Sequence, residues 1–182
     1  MAQETKSPNF QAQRSAEQRA AMKKLDFLTG RWRGRGTVII GANQRETFTV
    51  EETAQFKLGG LIWQVEGIGK TKDKTIGQEQ IVHHAIGLLS FDPEQKVYRW
   101  KTYTFQGYSQ DATADISDKG FVWSIKNQSM GGTIRYTITL DAQGKWLEIG
   151  EMTRDDGKTW FKFFEMELEK ELRKTRSSPS AN

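Results

Sequence analysis

The chain has 182 residues, enough for one ordinary domain, with 36% hydrophobic residues and 20 aromatic side chains to build a core. It has no cysteine, which excludes disulfides, cysteine-zinc sites and thiol nucleophiles. The net charge of +4 sits at the ends: residues 1–24 carry +3 and residues 169–182 carry +2, leaving 25–168 with 18 basic and 19 acidic residues. A neutral body with basic ends does not make the basic stripe that nucleic-acid binding needs, so no nucleic-acid partner is expected. No apolar run approaches the roughly 18 residues of a membrane span.

The opening MAQETKSPN has no hydrophobic segment of a signal peptide. Ala2-Gln3-Glu4 behind a lone Met reads instead as a mature N-terminus with a methionine added. The expectation is an exported protein, periplasmic or extracellular, with its signal peptide removed; a cytoplasmic protein is the alternative. Residues 1–14 and 170–182 are expected to be disordered tails and 15–169 a single domain. Within it, SAEQRAAMKKLDFL, residues 15–28, favours helix, with Ser15 as cap and Met22, Leu25 and Leu28 on one face.

After Gly30 the hydrophobic period changes from 3.6 to 2. Ten strand-like runs follow, near 31–40, 44–58, 61–69, 78–90, 96–106, 108–117, 120–127, 132–141, 145–154 and 159–169, separated by Asp/Gly-rich turns. No helix interrupts them, so parallel crossovers are not expected. Such a meander removes its exposed edges by closing, and the predicted fold is all-β: a ten-stranded antiparallel up-and-down barrel with a short N-terminal helix. A barrel of this size has room for a small ligand.

The segment GRWRGRG, residues 30–36, resembles an arginine-glycine RNA-binding tag, but it runs directly into Thr37-Val38-Ile39-Ile40. Read as a strand, it places Trp32, Gly34, Gly36, Val38 and Ile40 on the inner face and Arg31, Arg33 and Arg35 on the outer one. Two successive inward glycines suit a bent first strand. Gly69-Lys70-Thr71 has the ending of a phosphate-binding loop, but Gln64 stands where that loop needs glycine and no helix follows.

Six tryptophans fall in six different runs, and barrel closure brings some of them together. The candidate ligand-binding residues are Trp63, His83, Trp100, Trp123, Tyr136 and Glu148, with the aromatics lining a cavity and a histidine or Glu148 fixing a polar end. His83 and His84 are adjacent on one strand and point to opposite faces, so they cannot hold one metal ion together. Alternation alone does not decide which faces inward. Glu148 shares a face with Trp146, Gly150 and Met152. No metal site and no catalytic triad are expected.

LDFLTGRWRGRG is similar to the opening of nitrobindin-like barrels. EETAQFKLGGLIW, HHAIGLLSFDPEQKVYRW and GKTWFKFFEMELEK resemble a bacterial lipocalin-like domain family of unknown function. Together the residues 25–169 resemble the calycin superfamily. That resemblance implies a ligand-holding barrel. It also raises haem, which nitrobindins hold through a histidine near the last strands; the last three runs here contain none, so no cofactor is expected. The expected function is non-catalytic binding of a small, largely apolar molecule. An isomerase or hydrolase using a His/Glu pair in the cavity is one alternative. A partner-binding or assembly module acting through outward residues such as Ile39 and Phe163 is another. The sequence leaves the oligomeric state open, and a homodimer is compatible with it.

Overall fold

A computed structural model describes residues 8–40, 44–73, 75–127 and 131–172. Residues 1–7, which carry the export expectation, and 173–182 lie outside the described residues, as do 41–43, 74 and 128–130.

Helix α1 spans Pro8–Met22 and continues as a tighter 3-10 turn over Lys23–Leu28. The helix begins seven residues before Ser15, the expected cap. Pro8 supplies the reason: in the first turn its missing N–H costs no hydrogen bond and its fixed φ suits the helix.

Ten strands follow: β1 Gly30–Ile39, β2 Arg45–Lys57, β3 Ile62–Lys72, β4 Glu79–Asp92, β5 Val97–Thr104, β6 Ser109–Ser117, β7 Gly120–Asn127, β8 Gly132–Leu140, β9 Trp146–Thr153 and β10 Phe161–Lys170. Each pairs antiparallel with its sequence neighbour, and β1 pairs with β10 to close the barrel. The predicted closed ten-stranded antiparallel barrel is therefore the observed fold. Among the described residues no helix is long and apolar enough to cross a membrane.

GRWRGRG forms the first strand. Trp32 is buried, Gly36 is buried and Val38 faces the interior, while Arg31, Arg33 and Arg35 are exposed. Arg33 pairs with Glu51 of β2 at 2.5 Å and with Glu171 at 3.6 Å. Ile40, expected inward, lies past the strand end and is exposed.

One end of the barrel is sealed by the N-terminal segment. Met22, Leu25 and Leu28 are fully buried in the core, and the Trp32 indole N–H donates to the Leu28 carbonyl at 2.8 Å. Tyr98 donates its hydroxyl to the Ala21 carbonyl at 3.0 Å, and Arg19 Nε donates to Gly59 O at 2.8 Å. The bonds to Ala21 and Leu28 engage carbonyls near the C-terminal ends of the helical segments, and the Arg19 bond ties α1 to the β2–β3 connection.

Candidate functional site

Above that seal lies a floor of aromatic rings drawn from separate strands. Trp63 stacks on Trp146 with centroids 6.4 Å apart, and Trp146 meets Trp32 edge-on at 5.6 Å. Phe121 sits edge-on to Trp63 at 6.0 Å and to Trp100 at 5.5 Å. The series then climbs the wall: Trp100 to Trp123 at 6.0 Å, Trp123 stacked on Tyr136 at 4.7 Å, and Tyr136 edge-on to Phe164 at 6.2 Å. Aromatic pairs at these separations are favourable beyond the area they bury.

Glycines make the space for these rings. Gly87 faces inward on β4 opposite Thr102 of β5, and a Cβ built there would lie 2.0 Å from the Trp100 ring. The benzo edge of the Trp100 indole therefore occupies the space that a side chain at 87 would need. Gly87→Ala should force the indole off its seat and cost about 1–3 kcal/mol. Urea denaturation would measure the loss, accompanied by a red shift of tryptophan emission.

The other half of the barrel is hollow. A cavity of about 930 Å³ opens at the end opposite the helix. Its wall includes Phe48, Val50, Val65, Ala85, Trp100, Trp123, Tyr136, Ile138, Phe164 and Met166, with polar groups from Glu52, His83, Thr102, Thr104 and Glu148. The volume and the mix of apolar wall with a few polar groups match small-molecule sites.

The six residues singled out in the sequence are distributed as follows. Trp100, Trp123, Tyr136, His83 and Glu148 all line the cavity. Trp63 does not reach the wall; it is fully buried in the floor, against Trp146 and Phe121. The register decides the histidine question. Leu89 of β4 lies opposite the inward Trp63 and Trp100, and alternation from Leu89 through Gly87 and Ala85 turns His83 inward. His84 faces out, where its Nε2 is 2.8 Å from Glu66 Oε1. The histidine–carboxylate contact that a cavity enzyme would need thus forms on the outer wall, and His83 has no hydrogen bond to a carboxyl among the described residues. Burial, aided by the charge of His84, pushes the His83 pKa down from its ordinary value, so the ring in the wall is neutral at pH 7.

Glu52 is the residue that sequence reading missed. It lies on β2 between Val50 and Ala54, all three buried, and only 9% of its surface is exposed. Its carboxyl rests on Gly67 of β3, where a Cβ would be 2.2 Å from Glu52 Oε1. Burial holds its pKa well above the usual carboxylate value, and the nearby charges of Glu148 and Glu66 push the same way. Glu148 of β9 is pushed up to about 7 by burial. The Trp146 indole opposes that shift in part, although its N–H makes no hydrogen bond of normal geometry. The Tyr136 phenol is also raised, by burial first and by Glu148 second, and stays protonated.

Phe163, expected on the outer face, lines the cavity instead. A register shift between Lys162 and Phe164 in the β10–β9 pairing breaks strict alternation and turns two successive phenylalanines inward. Exposed apolar residues do edge the mouth, namely Ile81, Phe105, Tyr108 and Phe161. Among the described residues no group of three His, Asp or Glu is placed to hold a metal ion.

Comparison with known proteins supports the architecture alone. No family profile and no curated protein matches the sequence. Among solved structures, the crystal structure of Rv2717c from M. tuberculosis is similar, with a TM-score of 0.57 at 11% identity over 84% of this chain and 98% of that one. At that identity the likeness concerns the fold, and a shared barrel does not carry an activity with it.

Proposed function

We infer that the protein is a lipocalin-like barrel of the calycin type that binds a small, largely apolar molecule without transforming it. One observation carries the reading: a 930 Å³ aromatic-walled cavity is open at one end and sealed at the other by packed rings. Trp100, Trp123, Tyr136 and Phe164 supply the apolar contact, and Glu52, Glu148 and His83 supply the polar anchors. An apolar cavity of this size gains about 25 cal/mol for each Å² of ligand surface it takes from water.

The test is a fluorescence titration with Nile red, an uncharged apolar dye, against the wild type and Ala85→Phe. Ala85 lines the cavity on β4, and a phenyl ring there occupies the space a ligand would take. Saturable one-site binding is expected, weakened at least tenfold by the substitution. A wild type that binds no dye, or a variant that binds it equally well, would contradict the reading.

A further inference from the structure

We propose that the cavity selects ligands bearing a protonated amine, which Glu52 and Glu148 hold while the aromatic wall covers the rest of the molecule. The proposal rests on the ligand-binding reading above and adds the chemical class of the ligand.

Its basis is an imbalance of charge in a built site. Two carboxyls from different strands face one interior, and the charge of Glu148 adds to the cost of ionising Glu52. Among the described residues no Lys or Arg forms an ion pair with either of them. Buried carboxyls are ordinarily matched by a cation or replaced by apolar groups. Here Glu52 is more than nine-tenths buried, aimed into the cavity and unmatched. Gly67 gives up its side chain at the one place where a Cβ would collide with that carboxyl.

The surrounding groups do not supply the missing charge. His83 in the β4 wall is kept neutral by burial. Tyr136 on β8 keeps its proton. At the mouth, Arg45 and Lys72 stand beside Glu46 and Asp73, so the rim charges balance. Arg45 is further engaged by Glu165 of β10 at 3.6 Å. Glu66, on the outer side of β3, only adds negative charge behind Glu52.

The aromatic wall suits the same ligand. Trp123 and Tyr136 lie nearly parallel at 4.7 Å, and Trp100 and Phe164 flank them. The negative faces of such rings attract a cation, and more strongly where water is excluded. A carboxylate ligand would add a like charge beside both acids, and an alcohol would offer them hydrogen bonds but no charge against which to ionise. Because both acids are held above their ordinary pKa, an arriving ammonium group should drive them to ionise and release protons.

The experiment compares three ligands that differ at one group: 2-(1-naphthyl)ethylamine, 2-(1-naphthyl)ethanol and 1-naphthylacetate. Each is titrated calorimetrically at pH 7 into the wild type, Glu52→Gln and Glu148→Gln, in two buffers of different ionisation enthalpy, with Nile red binding followed in parallel. The amine is expected to bind at least tenfold more tightly than the alcohol, with proton release, and the acid more weakly than either. In each variant the amine-over-alcohol ratio should fall below threefold. An alcohol that binds as well as the amine, or an amine preference that survives in either variant, overturns the proposal while Nile red binding keeps the ligand-binding reading intact. Loss of binding for Nile red and all three naphthyl compounds overturns both.

Discussion

Trp63→Ala is expected to lower the stability of the barrel by about 3–5 kcal/mol, the range for removing a large aromatic from a packed core. Trp63 has no exposed surface. On its own sheet it lies opposite Phe56 of β2 and Leu89 of β4, and across the interior it stacks on Trp146 and abuts Phe121. The rings around it come from β7 and β9 on the far side of the barrel, so they cannot close the gap without moving strands. Part of the cost therefore appears as a cavity. Trp160 provides the contrast. It lies outside the barrel, where the Arg135 guanidinium sits 3.9 Å from the ring centroid, and Trp160→Ala should cost about 1 kcal/mol or less. Urea denaturation of both variants checks the pair of values. A Trp63→Ala protein within about 1 kcal/mol of wild type would show that the floor is not the packed layer described here.

The second large effect concerns pH. Glu148→Gln should be more stable than wild type at pH 8, by up to roughly 3 kcal/mol, because the pKa in the fold is about 7 against an ordinary value of 4.5. The sign follows from proton binding. Between pH 4.5 and 7 the folded protein keeps a proton on Glu148 that the unfolded chain has lost. Stability therefore falls as pH rises through that window and levels off above it. Glutamine has the shape of the protonated acid and no charge to bury, so it does not lose this increment. Glu52, raised for the same reason, should behave alike. Thermal unfolding of wild type and variant at pH 4.5, 6 and 8 gives the answer in the difference between the two curves. That difference should be small at pH 4.5 and grow to pH 8. A wild type that is the more stable protein at pH 8 would mean that Glu148 has a counter-charge in the folded protein.

Much of this architecture was legible because β-strands repeat every two residues and tight turns need particular residues. The ten runs fell within a few residues of the ten strands, and the inward set of β1 followed from alternation around Trp32. Helix α1 began earlier than Ser15 because a proline at a first turn carries no penalty, whereas a capping serine is easier to recognise. Register was harder. The extra residues at Lys162–Phe164 and near Gly69–Lys70 leave no mark in composition, yet one of them reverses Phe163. The inward orientation of His83 follows from the pairing of Leu89 with Trp63 and Trp100, which alternation along one strand does not contain. Glu52 did carry a signal: it occupies the inward position between Val50 and Ala54 in an otherwise apolar face. A carboxylate next to Glu51, Thr53 and Gln55 passes easily for part of the wet face, and its burial depends on Gly67 from a neighbouring strand.

The central claim is that a ligand enters the barrel and rests above the aromatic floor, and the six tryptophans make it directly measurable. Fluorine NMR of protein labelled with 5-fluorotryptophan, titrated with Nile red and assigned by single Trp→Phe variants, reports each site separately. Trp100 and Trp123 line the cavity and their signals should shift to saturation together at one equivalent of dye. Trp32 and Trp63, in the sealed floor, and Trp160, on the outer wall, should move little. Shifts at Trp160 with none at Trp100 and Trp123 would place the dye on the outside of the barrel and contradict the account.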